Sequence, residues 1–225
     1  MEIVYRALLT THIVAGGLSL ILFWIPVFTR KGKKNHRLIG RVYVYSMTLV
    51  VGSAGLLSLY LVAYKNLALG LILGFLAWLT LQPLWSGVNI LKHKKTDHGR
   101  YSKMQWVFSS VTLVYGLGLL YAWSGSMDTG FLIFGAIGTI AGGLGTVGPV
   151  FRKKDTPWLK EHYNNMLFTG AAAYTAFLAF GVRSFLPVLQ QDLWGILPWI
   201  APSLIAALAV VFLDRRFLAR RASSS

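Results

Sequence analysis

The sequence predicts an all-α protein built as a bundle of seven transmembrane helices, with the N-terminus outside the membrane and the C-terminus inside. Three observations support this prediction. The 225 residues are 55% hydrophobic and only 13% charged, with a mean hydropathy of +0.58, whereas a soluble domain typically carries about a quarter charged residues. Seven apolar stretches are long enough to cross a bilayer, and Lys and Arg are concentrated in alternate connectors.

The seven spans follow from the length of an α-helix. A helix rises about 1.5 Å per residue, so roughly 20 apolar residues cross a hydrocarbon layer about 30 Å thick. The first stretch is too long for a secretory signal and precedes no small-x-small cleavage site, so we expect it to be a retained helix. The stretches are residues 7–29, 42–64, 67–91, 105–123, 129–150, 162–184 and 193–213. Together they predict a single membrane domain over residues 1–221, followed by a short polar tail at 222–225.

The connectors predict the orientation. Nineteen Lys and Arg residues lie in the first, third and fifth connectors and after the last span, against Arg6, Lys65 and Arg183 on the other side. Basic residues in short loops are retained on the cytoplasmic face. An N-terminus outside and a C-terminus inside require an odd number of spans, which agrees with seven.

The composition also excludes several kinds of chemistry. The chain has no cysteine, so disulfides, iron–sulfur clusters and thiolate zinc sites are absent. The basic charge is explained by orientation and does not indicate a nucleic-acid partner. All seven acidic residues fall near span ends or in connectors, which disfavours a transporter driven by a mid-membrane carboxylate. No motif of a hydrolase or a nucleotide-driven enzyme is present, and whether the protein is an enzyme stays open.

An internal repeat relates three histidines. Residues 36–47 and 98–104 each contain a histidine followed by Gly-Arg, Tyr-Ser and Met, and residues 162–166 keep His, Tyr and Met. The histidines are His36, His98 and His162, spaced by 62 and 64 residues. This period covers one pair of helices, so it predicts three related hairpins plus one further helix, with the three histidines at equivalent cytoplasmic helix starts.

His12 is the one histidine predicted inside a span, about a turn and a half from its outer end. Gly16 lies on the same helical face and leaves room for a flat macrocycle. Two interpretations remain open for this residue: a ligand of haem or a metal, or a histidine hydrogen-bonded to a neighbouring helix. No second histidine lies on the outer side, and Met127 is the one nearby soft donor.

The cytoplasmic histidines and cations also have two interpretations. His36, His98 and His162 are candidates to bind b-type haem or a divalent metal, while His93 is expected to be solvated. The alternative is a surface that attracts anionic lipid head groups. The cations of that surface would be Lys31, Lys33, Lys34, Arg37 and Arg41.

Two features inside the spans bear on helix packing: packing is the favoured interpretation of the first, and the second predicts a kink that a bound ligand could exploit. The fifth span holds seven glycines, including Gly138-x-x-x-Gly142, and small residues let helices approach closely in lipid. In the third span, Gln82-Pro83 predicts a kink, because proline removes one helical hydrogen bond.

The start of the chain resembles a family. His12-x-x-x-Gly16-Gly17-Leu18, followed by His36-Arg37-x-x-Gly40-Arg41-Val42-Tyr43, is similar to an uncharacterised group of bacterial predicted membrane proteins, a domain of unknown function. The resemblance implies a multi-pass membrane protein with matched positions at His12, Gly16, His36, Gly40 and Arg41. It brings no established substrate or reaction.

These observations favour a protein of the bacterial plasma membrane whose histidines bind haem or a metal for a redox role. The competing interpretation is a small-solute or lipid carrier, or a structural membrane protein without a cofactor, in which the histidines only join helices. The two differ in one simple property, since a haem protein is coloured.

Overall fold

A computed structural model describes residues 2–92, 99–126, 129–151, 157–182 and 192–217. Those residues form seven α-helices and contain no strand. A 3₁₀ turn, Ile90–Lys92, extends α3, and a π-helical turn, Phe177–Gly181, extends α6. The helices are α1 (Glu2–Phe28), α2 (Lys34–Tyr64), α3 (Leu67–Asn89), α4 (Gly99–Ser126), α5 (Thr129–Phe151), α6 (Trp158–Ala176) and α7 (Asp192–Phe217).

Six of the seven described helices are long and apolar enough to cross a membrane, and α6 is the exception. The prediction of an all-helical, multi-pass membrane protein is therefore confirmed, while the seventh span and the orientation stay predictions. The first turns of α6 carry Lys160, Glu161 and His162, followed by two asparagines. This helix packs against α1, α3 and α7, so its polar groups meet other helices and need not face lipid.

The two helices of each predicted hairpin pack side by side. Contacts join α2 with α3, α4 with α5, and α6 with α7. The helix that the repeat leaves outside these hairpins, α1, packs along α2 and also touches α6. In addition, α3 contacts α4, α5 and α6, so it links the two halves of the bundle.

Glycine explains the close contact between α4 and α5. A Cβ atom built on Gly142 would lie 2.6 Å from Leu113 Cα, and one on Gly116 would lie 2.8 Å from Gly138 Cα. These separations are far below van der Waals contact, so a side chain would force the two backbones apart. The adjacent Gly143 faces open space, with nothing within 4 Å of a built Cβ. Close helix packing therefore accounts for the Gly138-x-x-x-Gly142 pair.

Polar side chains join α3 to α4 beside Pro83. The indole N–H of Trp78 donates to Thr112 Oγ1 at 3.0 Å, and Thr112 Oγ1 lies 3.1 Å from Gln82 Oε1. Thr112 is 1% exposed. Gln82 thus has a partner on the neighbouring helix, which is how a polar group inside a membrane is ordinarily satisfied.

Five helix termini meet at one end of the bundle. Buried Leu22, Tyr43 and Leu84 join α1, α2 and α3 in one apolar cluster, and Met166 of α6 packs against it. A second cluster joins α6 to α7, with Val27 of α1 packed against it. We call this end the basic end: it comprises the α1–α2 connector, the starts of α2 and α6, and the final turns of α1, α3 and α7.

Candidate functional site

His12 lies deeper in the helix than the sequence predicts. Because α1 begins at Glu2, His12 stands about 15 Å along it at about 1.5 Å per residue. Its Nδ1 atom is 3.1 Å from the carbonyl oxygen of Val50 and 3.1 Å from Ser53 Oγ, both on α2. The side chain therefore crosses from α1 to α2 well inside the membrane segment.

The partners of His12 determine its tautomer. A backbone carbonyl such as that of Val50 can only accept a hydrogen bond, so Nδ1 must carry the hydrogen. The Ser53 hydroxyl donates within its own helix, to Leu49 O at 2.7 Å or Val50 O at 3.0 Å, and its lone pairs remain available to Nδ1–H. In the neutral imidazole, the lone pair then resides on Nε2. Nε2 makes no hydrogen bond to any residue that the structure describes.

One turn further along α1 from His12, no neighbouring helix that the structure describes covers the backbone. A Cβ atom built on Gly16, one turn further along, would meet nothing within 4 Å. Ser19, one turn beyond that, is 1% exposed, and its hydroxyl has no partner among the described atoms. One face of α1 thus combines three features: a nitrogen lone pair on His12, an uncovered backbone at Gly16 and a buried hydroxyl on Ser19.

His36 has a different role from that of His12, because it binds the end of a helix. Its Nδ1 atom is 3.2 Å from the carbonyl oxygen of Pro26, in the last turn of α1. Lys31 Nζ donates to the same oxygen at 2.7 Å and to Val27 O at 2.6 Å. The last carbonyls of a helix lack intrahelical partners and carry partial negative charge. His36 and Lys31 therefore cap the C-terminus of α1.

His162 makes the equivalent contact between α6 and α3. Its Nδ1 atom lies 2.7 Å from the carbonyl oxygen of Gly87, in the last turn of α3. A Cβ on Gly87 would lie 3.0 Å from Asn165 Cβ and would also strike Met166, so the glycine is what lets the two helices meet there. His36 and His162 thus both bridge the start of one helix to the final turn of another. His93, His98 and Met127 lie outside the described residues.

The described part of the chain contains no group of three or more His, Cys, Asp or Glu residues able to hold a metal ion. His36 and His162 are each occupied at Nδ1 by a carbonyl on a different helix. These residues therefore give no support to the predicted shared metal site. The third predicted member, His98, is not among the residues described.

An ion pair that the sequence analysis did not single out joins α6 to α7 at the basic end. Lys160 Nζ lies 2.7 Å from Asp214 Oδ2, and the Tyr163 hydroxyl donates to the other oxygen of the same carboxylate. The Lys160 and Asp214 side chains are 33% and 26% exposed. The sequence gives only a weak indication of this ion pair, namely a charged residue at the edge of an apolar stretch. Lys160 and Asp214 are 54 positions apart, and only the fold brings them together.

The predicted lipid-binding cations divide into two kinds. Lys33, Lys34, Arg37 and Arg41 are exposed and form no ion pair with a described carboxylate. Lys31 is exposed as well, but its ammonium is held by two carbonyls of α1.

The profile of a family described as "Predicted membrane protein (DUF2306)" matches residues 9–144, more than half of the chain. The chain belongs to this family. The DUF2306 region runs from α1 into α5, so it contains His12, Gly16 and His36, while His162 and the Lys160–Asp214 pair lie beyond it. Comparison with curated proteins and with solved structures gave no match.

Proposed function

We propose that this DUF2306 protein binds a planar redox cofactor at His12, with b-type haem as the candidate group, in the bacterial plasma membrane. One observation carries the proposal: the Nδ1 atom of His12 is anchored on the Val50 carbonyl, and Nε2 is left without a partner among the described residues. Histidines that bind metals commonly donate their other ring N–H to a carbonyl or carboxylate, which fixes the tautomer and the orientation of the ring.

The donor set favours haem over a bare divalent metal. A metal ion held by the protein alone needs three or more ligands, and no such group is present among the described residues. A haem needs the protein only at its axial positions, and a histidine is a common axial ligand. Gly16 has no side chain, and no other described helix covers it, so nothing at this position would obstruct a flat ligand. When bound, haem would supply one-electron chemistry.

In this proposal the remaining histidines are not interchangeable with His12. His36 and His162 join helix ends through their Nδ1 atoms, so we assign them a positioning role in the bundle. Among the described histidines, only His12 lies far from both ends of its helix, whereas open space one turn away is shared by Gly16 beside His12 and by Gly40 beside His36. His98 stays a candidate second ligand, because it falls outside the described residues.

The test is an ultraviolet–visible spectrum of detergent-purified protein, air-oxidised and then dithionite-reduced, with total iron measured on the same sample. We expect a Soret band that shifts on reduction, about one haem per chain, and loss of the band in His12→Ala. The matched control is His36→Ala, which should keep the band because it removes only a capping contact. Folded wild-type protein without a Soret band or stoichiometric iron would overturn the proposal, as would equal loss of the band in both variants.

A second candidate function has its own observation. Lys33, Lys34, Arg37 and Arg41 are exposed without described acidic partners, which favours a surface that binds anionic lipid head groups. We propose this binding as either an accompaniment to the cofactor or, in a colourless protein, the main property of a lipid-interacting or carrier protein. This second proposal is tested by measuring whether the stability of the protein depends on anionic lipid.

A further inference from the structure

Parts of α1, α6 and α7 pack against one apolar cluster at the basic end. Val27, in the final turn of α1, packs against the cluster that contains Tyr163 of α6, and Leu213 of α7 packs against the same cluster. Lys31 is tied to this point because its ammonium donates to Val27 O at 2.6 Å. Arg216 is exposed and lies one helical turn beyond Leu213. The fold therefore places Lys31 and Arg216 at one junction, although 185 positions separate them.

The charges at this junction are not balanced. Asp214 is the carboxylate nearest to Arg216 along α7, but Lys160 and Tyr163 already engage both of its oxygens. Neither Lys31 nor Arg216 forms an ion pair with a described carboxylate. Lys31 is exposed as a residue, but its ammonium lies against the end of α1, and this desolvation lowers its pKa; the positive charge of Arg216 lowers that pKa further. Two like charges within electrostatic range repel each other, and an anion between them would relieve that repulsion.

The two side chains have donors to offer such an anion. A lysine ammonium has three N–H donors, and Lys31 uses two of them on the carbonyls of Pro26 and Val27. The third remains for a ligand. An arginine guanidinium adds a planar fork that matches two phosphate oxygens at once.

We propose that Lys31 and Arg216 together bind the phosphate of an anionic phospholipid head group at the basic end. A lipid is favoured over a soluble anion because α1 and α7 both qualify as membrane spans. Each also presents a large apolar side chain close to the junction: Phe28 is 80% exposed and Phe212 is 62% exposed. Acyl chains would contact these side chains while the phosphate contacts the two cations. The inference rests on the lipid-binding candidate above and is independent of the cofactor.

The experiment measures the apparent affinity of the purified protein for phosphatidylglycerol against phosphatidylcholine, by titration followed with native mass spectrometry. In Arg216→Gln we expect a loss of affinity for phosphatidylglycerol of about five-fold or more, the factor for one Lys or Arg contact with anionic lipid. The matched control is Arg215→Gln, which removes the same charge from the adjacent exposed residue and should lower the affinity less than Arg216→Gln does, because it weakens only the general attraction to anionic lipid and removes no contact with the bound phosphate. Circular dichroism confirms that both variants are folded.

Other outcomes separate the specific site from the general surface. Equal losses in the two variants would overturn the Lys31–Arg216 site while leaving a diffuse basic surface that binds lipid. No preference of the wild-type protein for phosphatidylglycerol would overturn both proposals. Inorganic phosphate at millimolar concentration should not compete, and if it displaced the lipid, a soluble phosphate would replace the lipid head group as the ligand.

Discussion

Replacing Gly142 by alanine should separate α4 from α5. The added methyl group would lie 2.6 Å from Leu113 Cα and 2.8 Å from Leu113 Cβ. Backbone atoms cannot rotate away as the end of a flexible side chain can, so one helix must move. Overpacking of a well-packed interior typically costs about 1–3 kcal/mol. We expect Gly142→Ala to lower the free energy of unfolding by that amount.

The adjacent Gly143 provides the matched control for this prediction. A Cβ at Gly143 meets nothing within 4 Å, and alanine favours a helix over glycine by up to about 1 kcal/mol. Gly143→Ala should therefore be neutral or stabilising, which places the two variants about 1–4 kcal/mol apart. On α4, Gly116→Ala and Gly118→Ala form the same kind of pair, with Gly116 in contact and Gly118 open.

The assay is unfolding in mixed micelles of increasing dodecyl sulfate content, followed by circular dichroism, with all four variants at one protein concentration. Equal stability of Gly142→Ala and Gly143→Ala would refute the close approach of α4 and α5. A binding role for the glycine stripe would give a different pattern, in which Gly142→Ala loses a ligand while unfolding unchanged.

Two further predictions concern the basic end. His36→Ala should lower the free energy of unfolding by about 1 kcal/mol, because Pro26 O loses one of its donors, and the visible spectrum should not change; a lost Soret band with unchanged stability would instead make His36 a ligand. Tyr163→Phe should cost about 1.5–3 kcal/mol, the range for a hydrogen bond to a charged group, because Asp214 loses a donor. Thermal unfolding tests this prediction, with Tyr45→Phe as the control, because Tyr45 is 70% exposed and its substitution should not change stability. Equal melting temperatures for the two variants would contradict the contact between Tyr163 and Asp214.

Much of the fold could be predicted from the chain because membrane helices obey local rules. The six apolar helices follow from hydropathy, and membership of the family follows from the motifs at the start of the chain. The exception is α6, because the sequence predicts a span at residues 162–184 while the described helix is not among those apolar enough to cross a membrane. Its polar first turns are tolerated only because α1, α3 and α7 surround it, and a sequence window carries no information about neighbours.

Part of the candidate site could also be predicted from the sequence, and part could not. Its residue types and helical faces were visible in the sequence: a histidine with Gly16 one turn away, and histidines at two helix starts. The atoms that those histidines bind could not be predicted from the sequence. Nothing in the sequence distinguishes a histidine that binds Val50 O from one that binds Pro26 O. The structure also places His12 deeper in α1 than the sequence predicts, because the helix begins at Glu2 and not near residue 7.

The sequence by itself determined where apolar helices form and which end of the bundle is basic, because hydropathy and charge act through the residue and its immediate neighbours. The tertiary structure alone decided which polar groups are satisfied and which are left to bind something else. Lys160 meets Asp214 across 54 positions, and helix packing brings the end of α1, which holds the ammonium of Lys31, and the end of α7, which carries Arg216, to one apolar cluster. Hydrogen bonds and ion pairs depend on distances of a few ångströms, and between residues so far apart in the chain only helix packing sets those distances.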